Sequence, residues 1–501
     1  MSLLNDALFS QLEEKPSATI FKDTHKSYWY QKKDIKADVS ELNHFLQAQG
    51  IAKGDVVVIW RENSVFYAVA MQALWQIGAV ARPVADTLPA EQVFQEMQTY
   101  QYAYLLTTQT KANDFTKIAG KTASQLELLT TDSCALVQNK VGEKILSTVE
   151  TVSEQDLALL MNTSGTTGEP KRVGLSHEEL YRSASHIAAS QQLSKEDRVL
   201  ILMPLFHINA QVISLLATRL SDGKAVIAKN FSARLFWQEV SENQITWVSV
   251  VPTIIKILSL NQKSRSFYSP ENSLKYLRSA SFNLQSDDYY TFEQLFHLPI
   301  LEGYGMTESA SLISLNPIAK PKLGSVGLPV ATEVRIATPN GLTKSAGITG
   351  EIALAGDHVI KQYLDPHAES FVNDWLLTGD LGYFDAEGYL FLVGRKKEMI
   401  NHGGEKFSPI EVEQVLNRMQ LIKESAVVGC TDDLYGQKVI AFIILENVAP
   451  SADCLQAIMD YSEKNLPKYQ RLAEICFVSS FPRSASGKIQ RSKLSQAILS
   501  E

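Results

Sequence analysis

Short runs of mostly apolar residues alternate along this chain with longer apolar or amphipathic segments. Runs of four or five such residues predict buried strands, and the longer segments that follow them predict helices. The clearest strand–helix pairs are Val56–Trp60 with 68–77, 199–202 with 210–220, and 248–252 with 254–260. Strands that alternate with helices predict layered α/β sheets whose strands are largely parallel.

The pattern changes at about residue 331, where the apolar segments become shorter and turn residues become more frequent. Two clusters of turn residues, at 339–341 and 386–388, combine Gly with Pro, Asn or a charged residue. This change predicts a smaller β-rich subdomain over about 331–394.

A third pattern begins after residue 396. Ser408 followed by Pro409 is typical of a helix N-cap and first helical position, so we expect a helix from Pro409 to about Arg418. Apolar runs at 425–429 and 440–445 predict two strands. We therefore expect an N-terminal domain over residues 1–396 and a small α+β domain over residues 397–501.

The amino-acid composition and net charge limit the classes of protein to which this chain can belong. Of the 501 residues, 45% are hydrophobic and 20% are charged, which is ordinary for a globular protein. The formal net charge is −8, from 47 Lys and Arg against 55 Asp and Glu. This balance argues against a nucleic-acid-binding protein.

The four cysteines are scattered, and no pair has C-x-x-C spacing, so we expect neither a zinc nor a redox site at the cysteines. Scattered cysteines are typical of a reducing cytosol. The N-terminus has no basic start, and the apolar stretch 65–80 is interrupted by Gln72 and Gln76. We therefore expect a cytoplasmic protein without a signal peptide or membrane insertion.

A segment rich in hydroxyl groups and glycine follows a predicted strand at 157–161. Small residues let the backbone approach a polyanion, and N–H groups, hydroxyls and a lysine can bind phosphate oxygens. The residues with these properties are Thr163, Ser164, Gly165, Thr166, Thr167, Gly168 and Lys171. The spacing is not that of the common phosphate loop. Composition alone favours phosphate binding only slightly over a surface turn.

A second segment places an aromatic ring between two glycines, followed by a hydroxyl and a carboxylate. Its residues are Glu302, Gly303, Tyr304, Gly305, Thr307 and Glu308. A tyrosine ring can stack on a purine, and a carboxylate can bind Mg²⁺. By itself the segment is more typical of a tight turn that ends a strand.

Three more segments lie nearer the C-terminus. Asp380 can accept hydrogen bonds from ribose hydroxyls, although a turn Asp is common beside Gly. Arg395 is a second candidate ligand for ribose or phosphate, and a basic turn between domains is the alternative. Lys488 lies in a Ser- and Gly-rich segment, where a single lysine is normally solvated.

In this order, the five segments resemble the motifs of the adenylate-forming enzymes, which include acyl-CoA synthetases, peptide-synthetase adenylation domains and luciferases. The resemblance covers residues 55–493. It implies a large N-terminal domain of layered α/β sheets with a β-rich subdomain, and a small, mobile C-terminal domain. It also implies an ATP-dependent acid–CoA ligase that uses Mg²⁺ and forms an acyl-AMP intermediate.

The resemblance assigns roles to individual residues. Lys488 would contact the carboxylate and the α-phosphate, and Thr307 and Glu308 would complete the catalytic group, with Glu308 near Mg²⁺. The resemblance also implies that residues 163–171 contact the β- and γ-phosphates. Tyr304 and its neighbours would contact adenine. Asp380 and Arg395 would contact ribose.

The resemblance also implies that the C-terminal domain turns between the two half-reactions. By motif position the hinge residue is Glu398, where many relatives have Asp. Gly404, Glu405 and Lys406 would then face the pantetheine of CoA. A Gly-rich β-hairpin is the alternative interpretation of this segment.

Four segments, at 204–207, 314–317, 322–327 and 400–412, resemble the oxalate–CoA ligase branch of this family. By motif position the acyl pocket would include His207, Ser279, Ser281 and Phe282. Phe282 stands where the branch usually has a small residue, and a packed core histidine is a rival interpretation of His207.

We therefore expect oxalate or another small carboxylic acid as the substrate. A medium-chain or aryl acid is the alternative. A phosphopantetheine on a separate carrier protein is the alternative acceptor.

Overall fold

The computed structural model describes residues 1–139, 151–163, 171–280, 284–483 and 489–499, which form two compact units. The first consists of Met1–Thr163, Lys171–Glu333 and Ala355–Asp374. The second includes Val334–Leu354 and Trp375–Glu501, so β-rich segments group with the C-terminal residues. The domain boundary after residue 396 stays a prediction.

The helices of the first unit cover its sheets. They are α1 (Leu3–Glu13), α2 (Lys32–Ala48), α3 (Phe66–Gln76), α4 (Ala90–Thr99), α5 (Gln109–Ala119), α6 (His177–Ser190), α7 (Ala217–Leu220), α8 (Phe236–Glu242), α9 (Pro252–Leu260), α10 (Gln262–Arg265) and α11 (Ser286–Phe296). In α3 every residue from Phe66 to Trp75 is buried, which confirms that the apolar stretch is a core helix. Among the described residues, no helix has both the length and the apolar character of a membrane span.

The first unit contains two sheets. Their strands are β1 (Thr19–Asp23), β2 (Tyr30–Gln31), β3 (Val56–Trp60), β4 (Val80–Val84), β5 (Tyr104–Thr107), β6 (Ala123–Leu128), β7 (Thr131–Gln138), β8 (Leu157–Asn162), β9 (Arg172–Ser176), β10 (Arg198–Ile201), β11 (Lys224–Ile227), β12 (Trp247–Val250), β13 (Tyr276–Ser279), β14 (Ile300–Tyr304), β15 (Ser314–Leu315) and β16 (Leu328–Pro329). Their orders are β16-β15-β14-β13-β12-β10-β11-β1-β2 and β6-β7-β5-β3-β4-β8-β9.

Both sheets have a parallel centre. From β14 to β1 every neighbouring pair in the larger sheet is parallel, and β3, β4, β5 and β8 pair in parallel in the smaller one. Antiparallel strands complete the edges. These pairings confirm the prediction of layered, largely parallel sheets. The sequence could indicate them because buried parallel strands have nearly continuous apolar sequences.

The second unit is rich in antiparallel strands. They are β17 (Glu333–Thr338), β18 (Gly341–Thr343), β19 (Gly350–Ala355), β21 (Trp375–Phe384), β22 (Leu390–Arg395), β23 (Ile400–His402), β24 (Glu405–Phe407), β25 (Ile422–Asp432), β26 (Gly436–Leu445) and β27 (Glu474–Phe477), with β20 (Phe371–Val372) in the first unit. Its helices are α12 (Pro409–Leu416), α13 (Ala452–Asn465) and α14 (Arg491–Leu499). Ser408 caps α12 by accepting a hydrogen bond from Ile410 N, as predicted.

One predicted helix has an unexpected geometry. Residues Asn209–Leu216 form a π-helix that continues into α7. The apolar pattern predicted a helix at 210–220 but cannot distinguish α from π geometry. π-helical turns are rare and occur frequently at functional sites.

Candidate active site

The carboxyl ends of β13 and β14 form the centre of the candidate site in the first unit. Ser279 ends β13, Tyr304 ends β14, and Ser279 pairs with Glu302 across the two strands. Parallel strands end at the same edge of a sheet, and open α/β sheets bind ligands at that edge. Two predicted motifs therefore meet here.

Packing explains both glycines of the Gly303–Gly305 motif. A Cβ on Gly305 would lie 1.7 Å from the carbonyl oxygen of Ser311. A Cβ on Gly303 would lie 3.0 Å from Leu315 Cδ1 and 3.1 Å from Arg278 Nη2. At these two glycines the backbone therefore lies close to the protein's own backbone and side chains.

Glu302 and Tyr304 are both largely buried. Tyr304 is 8% exposed, so only a small part of its ring is accessible for contact with adenine. The Glu302 carboxylate accepts hydrogen bonds from the backbone N–H groups of Leu284 and Gly324, at 3.4 and 3.3 Å. Burial nevertheless raises the pKa of Glu302 to about 7. Glu302 therefore links two loops beside the site.

Glu308 lies in a 3₁₀ turn (Thr307–Ser309) and is 5% exposed. Its carboxylate accepts a 2.9 Å hydrogen bond from the phenol of Tyr363. Burial and the neighbouring Glu308 raise the pKa of Tyr363, so the phenol stays protonated as a donor. A carboxylate beside the hydroxyl of Thr307 offers the oxygen chemistry that Mg²⁺ requires, so these residues fit the expected metal.

The side chain of Lys171 also contacts Tyr363, the residue that donates to Glu308. Its ammonium donates a 2.7 Å hydrogen bond to Ser370 Oγ and lies 4.5 Å from the centre of the Tyr363 ring. Thr163 N donates to Lys171 O at 2.9 Å, so β8 and β9 hold both ends of the predicted phosphate segment together. The structure thus connects two separately predicted residues, Lys171 and Glu308, through Tyr363.

A polar row lies on one face of the large sheet. Ser249 pairs with Arg278 in register, and the Ser249 hydroxyl donates a 2.9 Å hydrogen bond to the side chain of Asn209. Asn209 begins the π-helix two residues after His207, whose ring lies against that of Phe206. These contacts place His207 and Arg278 on neighbouring elements.

Arg278 is unusual because it is a cation in the protein interior. It is 1% exposed, and neither its Nε nor its Nη1 has a hydrogen-bond partner among the described residues. Burial lowers the pKa of its guanidinium to about 10, so it remains charged at neutral pH. The hydroxyl of Ser279 is also buried without a partner within the described part of the chain.

In the second unit, the two predicted ribose ligands form a pair. Asp380 and Arg395 lie opposite each other on β21 and β22, and Arg395 Nε donates to Asp380 Oδ1 at 2.8 Å. Asp380 is 6% exposed, and its backbone N–H donates to Thr378 Oγ1. The arginine therefore orients the carboxylate.

The predicted hinge residue is held by an ion pair. Glu398 Oε2 lies 3.0 Å from Arg491 Nη1, and the same arginine contacts Glu413 at 2.8 Å through Nη2. Burial raises the pKa of Glu413. The hinge role of Glu398 itself stays a prediction.

The segment predicted to face pantetheine is a β-hairpin. Gly403 and Gly404 have φ values of 61° and 92° and connect β23 to β24 as a two-residue turn. Such turns require positive φ at both positions, which explains the two glycines. Glu405 and Lys406 are exposed. The hairpin interpretation is confirmed, and contact with CoA stays a prediction.

Several predicted site residues lie outside the described residues. They are Ser164, Gly165, Thr166, Thr167, Gly168, Ser281, Phe282 and Lys488. Sequence reasoning also missed Tyr363, Ser370 and Arg278. The feature that distinguishes these three residues is that they are buried. Burial is not visible in a single sequence.

Comparison with known proteins agrees with this geometry. The family model described as AMP-binding enzyme matches residues 8–364, and that of the AMP-binding enzyme C-terminal domain matches residues 411–488. The oxalate–CoA ligase of Arabidopsis thaliana is 34% identical over 466 residues, covering 90% of each chain. The sulfoacetate–CoA ligase of Cupriavidus necator is 37% identical over 338 residues, which span 66% of this chain and 65% of that protein.

Solved structures have the same fold. The o-succinylbenzoate CoA synthetase of Bacillus subtilis, in complex with ATP and magnesium ion, superposes with a TM-score of 0.83 at 26% identity over 97% of this chain and 98% of that one. The same enzyme, in complex with an acyl-adenylate intermediate, superposes equally well over 97% of both chains. The chain therefore belongs to the AMP-binding enzyme family and is an adenylate-forming acyl-CoA synthetase.

Proposed function

We propose that this protein is an acid–CoA ligase for a short carboxylic acid that carries a second negative charge, with oxalate as the lead candidate. The observation that carries this proposal is the buried cation of Arg278, whose Nε and Nη1 have no hydrogen-bond partner among the described residues, beside the polar row that leads to His207. Both relatives named above act on such acids, since oxalate and sulfoacetate each combine a carboxylate with a second anionic group.

The first half-reaction makes the carboxylate electrophilic. A carboxylate oxygen attacks the α-phosphorus of ATP in line, and pyrophosphate leaves to give acyl-AMP. Because negative charge gathers at phosphorus, the protein contributes positioning and cations. Lys488 and Lys171 would supply positive charge to the phosphates, and Glu308, which accepts a hydrogen bond from Tyr363, would hold Mg²⁺, an ion that would neutralise phosphate charge.

The second half-reaction transfers the acyl group. The thiolate of CoA attacks the acyl carbonyl, the C–O bond to AMP breaks, and AMP leaves. Lys488 is not needed in this step, because no new charge develops at the α-phosphorus. A turn about Glu398 would replace Lys488 with the 403–406 hairpin and open a route for the thiol.

The electrostatics favour an acid with two negative groups. A buried guanidinium without an anionic partner is costly, because burial removes its hydration. A second anionic group of the substrate would supply the missing partner. A medium-chain or aryl acid would leave Arg278 unpaired, so these alternatives fit the polar row less well.

A pyrophosphate-release screen tests the proposal. We would compare oxalate, malonate, sulfoacetate, acetate, butyrate, octanoate and benzoate, each with and without CoA. We expect the fastest turnover with a two-carbon dianion, and CoA-dependent release of AMP. If CoA gives no turnover and a phosphopantetheinylated carrier protein does, the carrier-loading alternative is correct.

Two variants test the substrate pocket. Losing the partner of a buried charge costs about 2–5 kcal/mol, so His207→Ala and Arg278→Gln should each raise KM for the dianion roughly a hundredfold. Arg278→Lys keeps the charge and serves as the control. The KM for acetate should change little in these variants, because acetate has no second anionic group.

Phe282→Ala tests the size of the acyl pocket. Because the smaller side chain would open the pocket, this variant should accept longer acids than the wild type. If the wild type prefers octanoate or benzoate, and His207→Ala changes no profile, the assignment to short dianions is wrong. The acyl-CoA ligase assignment would survive that result.

A further inference from the structure

Two imidazoles and a carboxylate meet in the first unit, among residues that have no role in the proposed reaction. His186 lies on α6, and Asp357 and His358 lie in the segment that follows β19. One ligand atom from each residue lies within 4.8 Å of the other two. Asp357 Oδ1 is 3.1 Å from His186 Nε2 and 3.2 Å from His358 Nδ1.

The contacts of His358 Nε2 favour the tautomer in which this ring nitrogen carries the proton. Its Nε2 lies 3.2 Å from the carbonyl oxygen of Leu312 and 2.9 Å from Thr332 Oγ1. A carbonyl can only accept, and the Thr332 hydroxyl donates its own hydrogen to Val330 O at 3.1 Å. Both neighbours therefore accept from Nε2–H, and the neutral ring has its lone pair on Nδ1.

This assignment leaves the Nδ1 lone pair facing a carboxylate oxygen. A metal cation between His358 Nδ1 and Asp357 Oδ1 would satisfy both electron-rich atoms. The side chain of His358 is 0% exposed, so the ring is held within the protein interior with Nδ1 facing Asp357.

We propose that His186 Nε2, Asp357 Oδ1 and His358 Nδ1 bind a divalent transition-metal ion of the Zn²⁺ class. In a tetrahedral zinc site with bonds of about 2.0–2.1 Å, neighbouring ligand atoms are about 3.3 Å apart. The two distances to Asp357 Oδ1 match this spacing. The Nε2–H bond to Leu312 O is the outer-shell contact that commonly orients a metal-binding histidine.

The ligand set also indicates which metals the site excludes. Imidazole nitrogen suits Zn²⁺, Ni²⁺ and Cu²⁺, whereas Mg²⁺ takes oxygen ligands. The Mg²⁺ that accompanies ATP would therefore not compete here. Arg182 is the nearby cation, but its Nε lies 3.7 Å from the other carboxylate oxygen, Asp357 Oδ2. The Nε of Arg182 therefore faces Oδ2, whereas Oδ1 of Asp357 contacts the two imidazoles.

The bound ion would connect α6 to the segment that supports Glu308. Two residues after His358, the backbone N–H of Ile360 donates a 2.9 Å hydrogen bond to Glu308 O. Tyr363, which contacts the Glu308 carboxylate, follows in the same segment. A metal at this position would therefore stabilise the backbone beside the candidate active site.

Titration of the metal-stripped full-length protein with ZnCl₂, followed by calorimetry and by thermal unfolding, tests the site. His186→Gln and Asp357→Asn change side chains that are half-buried and exposed, so both variants should fold. His44→Gln, on the exposed side of α2, is the matched control. MgCl₂ serves as the competitor.

We expect wild type and His44→Gln to bind one zinc ion and to unfold at a higher Tm with zinc present. Each ligand variant should bind at least tenfold more weakly and lose the Tm increase, and MgCl₂ should not displace zinc. Absence of zinc binding in wild type would overturn the proposal. Equal zinc affinity in His186→Gln, Asp357→Asn and wild type would overturn it as well.

Discussion

Arg491 on α14 forms ion pairs with both Glu398 and Glu413, so one guanidinium joins the predicted hinge to a buried carboxylate in α12. The two pairs differ in their environment. Glu413 is the more buried carboxylate, whereas Glu398 retains partial contact with solvent. The loss of Arg491 should therefore affect folding through Glu413 and the hinge through Glu398.

Arg491→Gln should destabilise the protein strongly, because it leaves the Glu413 carboxylate buried and uncompensated. Breaking a buried ion pair in this way costs about 3–5 kcal/mol. Glu398→Gln should cost much less. Urea unfolding of Arg491→Gln, of Glu413→Gln and of their double variant measures the coupling, with Glu398→Gln measured beside them. A double variant as unstable as the sum of its singles would contradict the assigned pair.

Tyr363→Phe should weaken adenylation and also lower the free energy of unfolding, because the Glu308 carboxylate that loses its donor is buried. The hydrogen bond that it removes goes to a carboxylate, and such bonds contribute about 1.5–3 kcal/mol. We therefore expect kcat/KM for Mg-ATP to fall roughly tenfold to a hundredfold in pyrophosphate release. Tyr290→Phe, at an exposed tyrosine of α11, is the control. Identical kinetics in both variants would argue against a role for Tyr363 in orienting Glu308.

Glu302 should make folding stability depend on pH. Its folded pKa is raised from 4.5 to about 7, so between these values the folded state holds a proton that the unfolded state has lost. Stability should therefore fall as pH rises from about 4.5 to 7, by roughly 3 kcal/mol in total, and be independent of this group outside that window.

Glu302→Gln should remove this dependence, because an amide cannot ionise but can still accept hydrogen bonds from Leu284 N and Gly324 N. Denaturant unfolding across the pH range, with Glu293→Gln as an exposed control, measures the difference. The assignment fails if wild type and Glu302→Gln show the same slope between pH 5 and 7.

Lys488→Ala should abolish acyl-AMP formation and leave thioester formation from supplied acyl-AMP largely intact. Only the first half-reaction builds negative charge at the α-phosphorus, which this cation would stabilise. The two half-reactions can be measured separately, by pyrophosphate release and by CoA thioester formation from synthetic acyl-AMP. Equal loss in both would refute the assigned role.

The sequence by itself determined the fold class, the order of the motifs and several element boundaries. Val56–Trp60 is a strand with the predicted ends, and α12 begins after Ser408 as its cap requires. Such features follow from local chemistry, because apolar runs, caps and glycine turns act over a few residues. The alternative interpretation of the paired glycines at 403 and 404 as a hairpin is confirmed for the same reason.

The tertiary structure alone decided which distant residues meet. The hydrogen bond of Tyr363 with Glu308, the pairing of Ser249 with Arg278, and the meeting of His186 with Asp357 each join separate segments of the chain. No local pattern specifies these contacts, because they depend on sheet order and on burial. Burial also raises the pKa of Glu302 and leaves Nε and Nη1 of Arg278 without a hydrogen-bond partner among the described residues, since water that would solvate these groups is excluded.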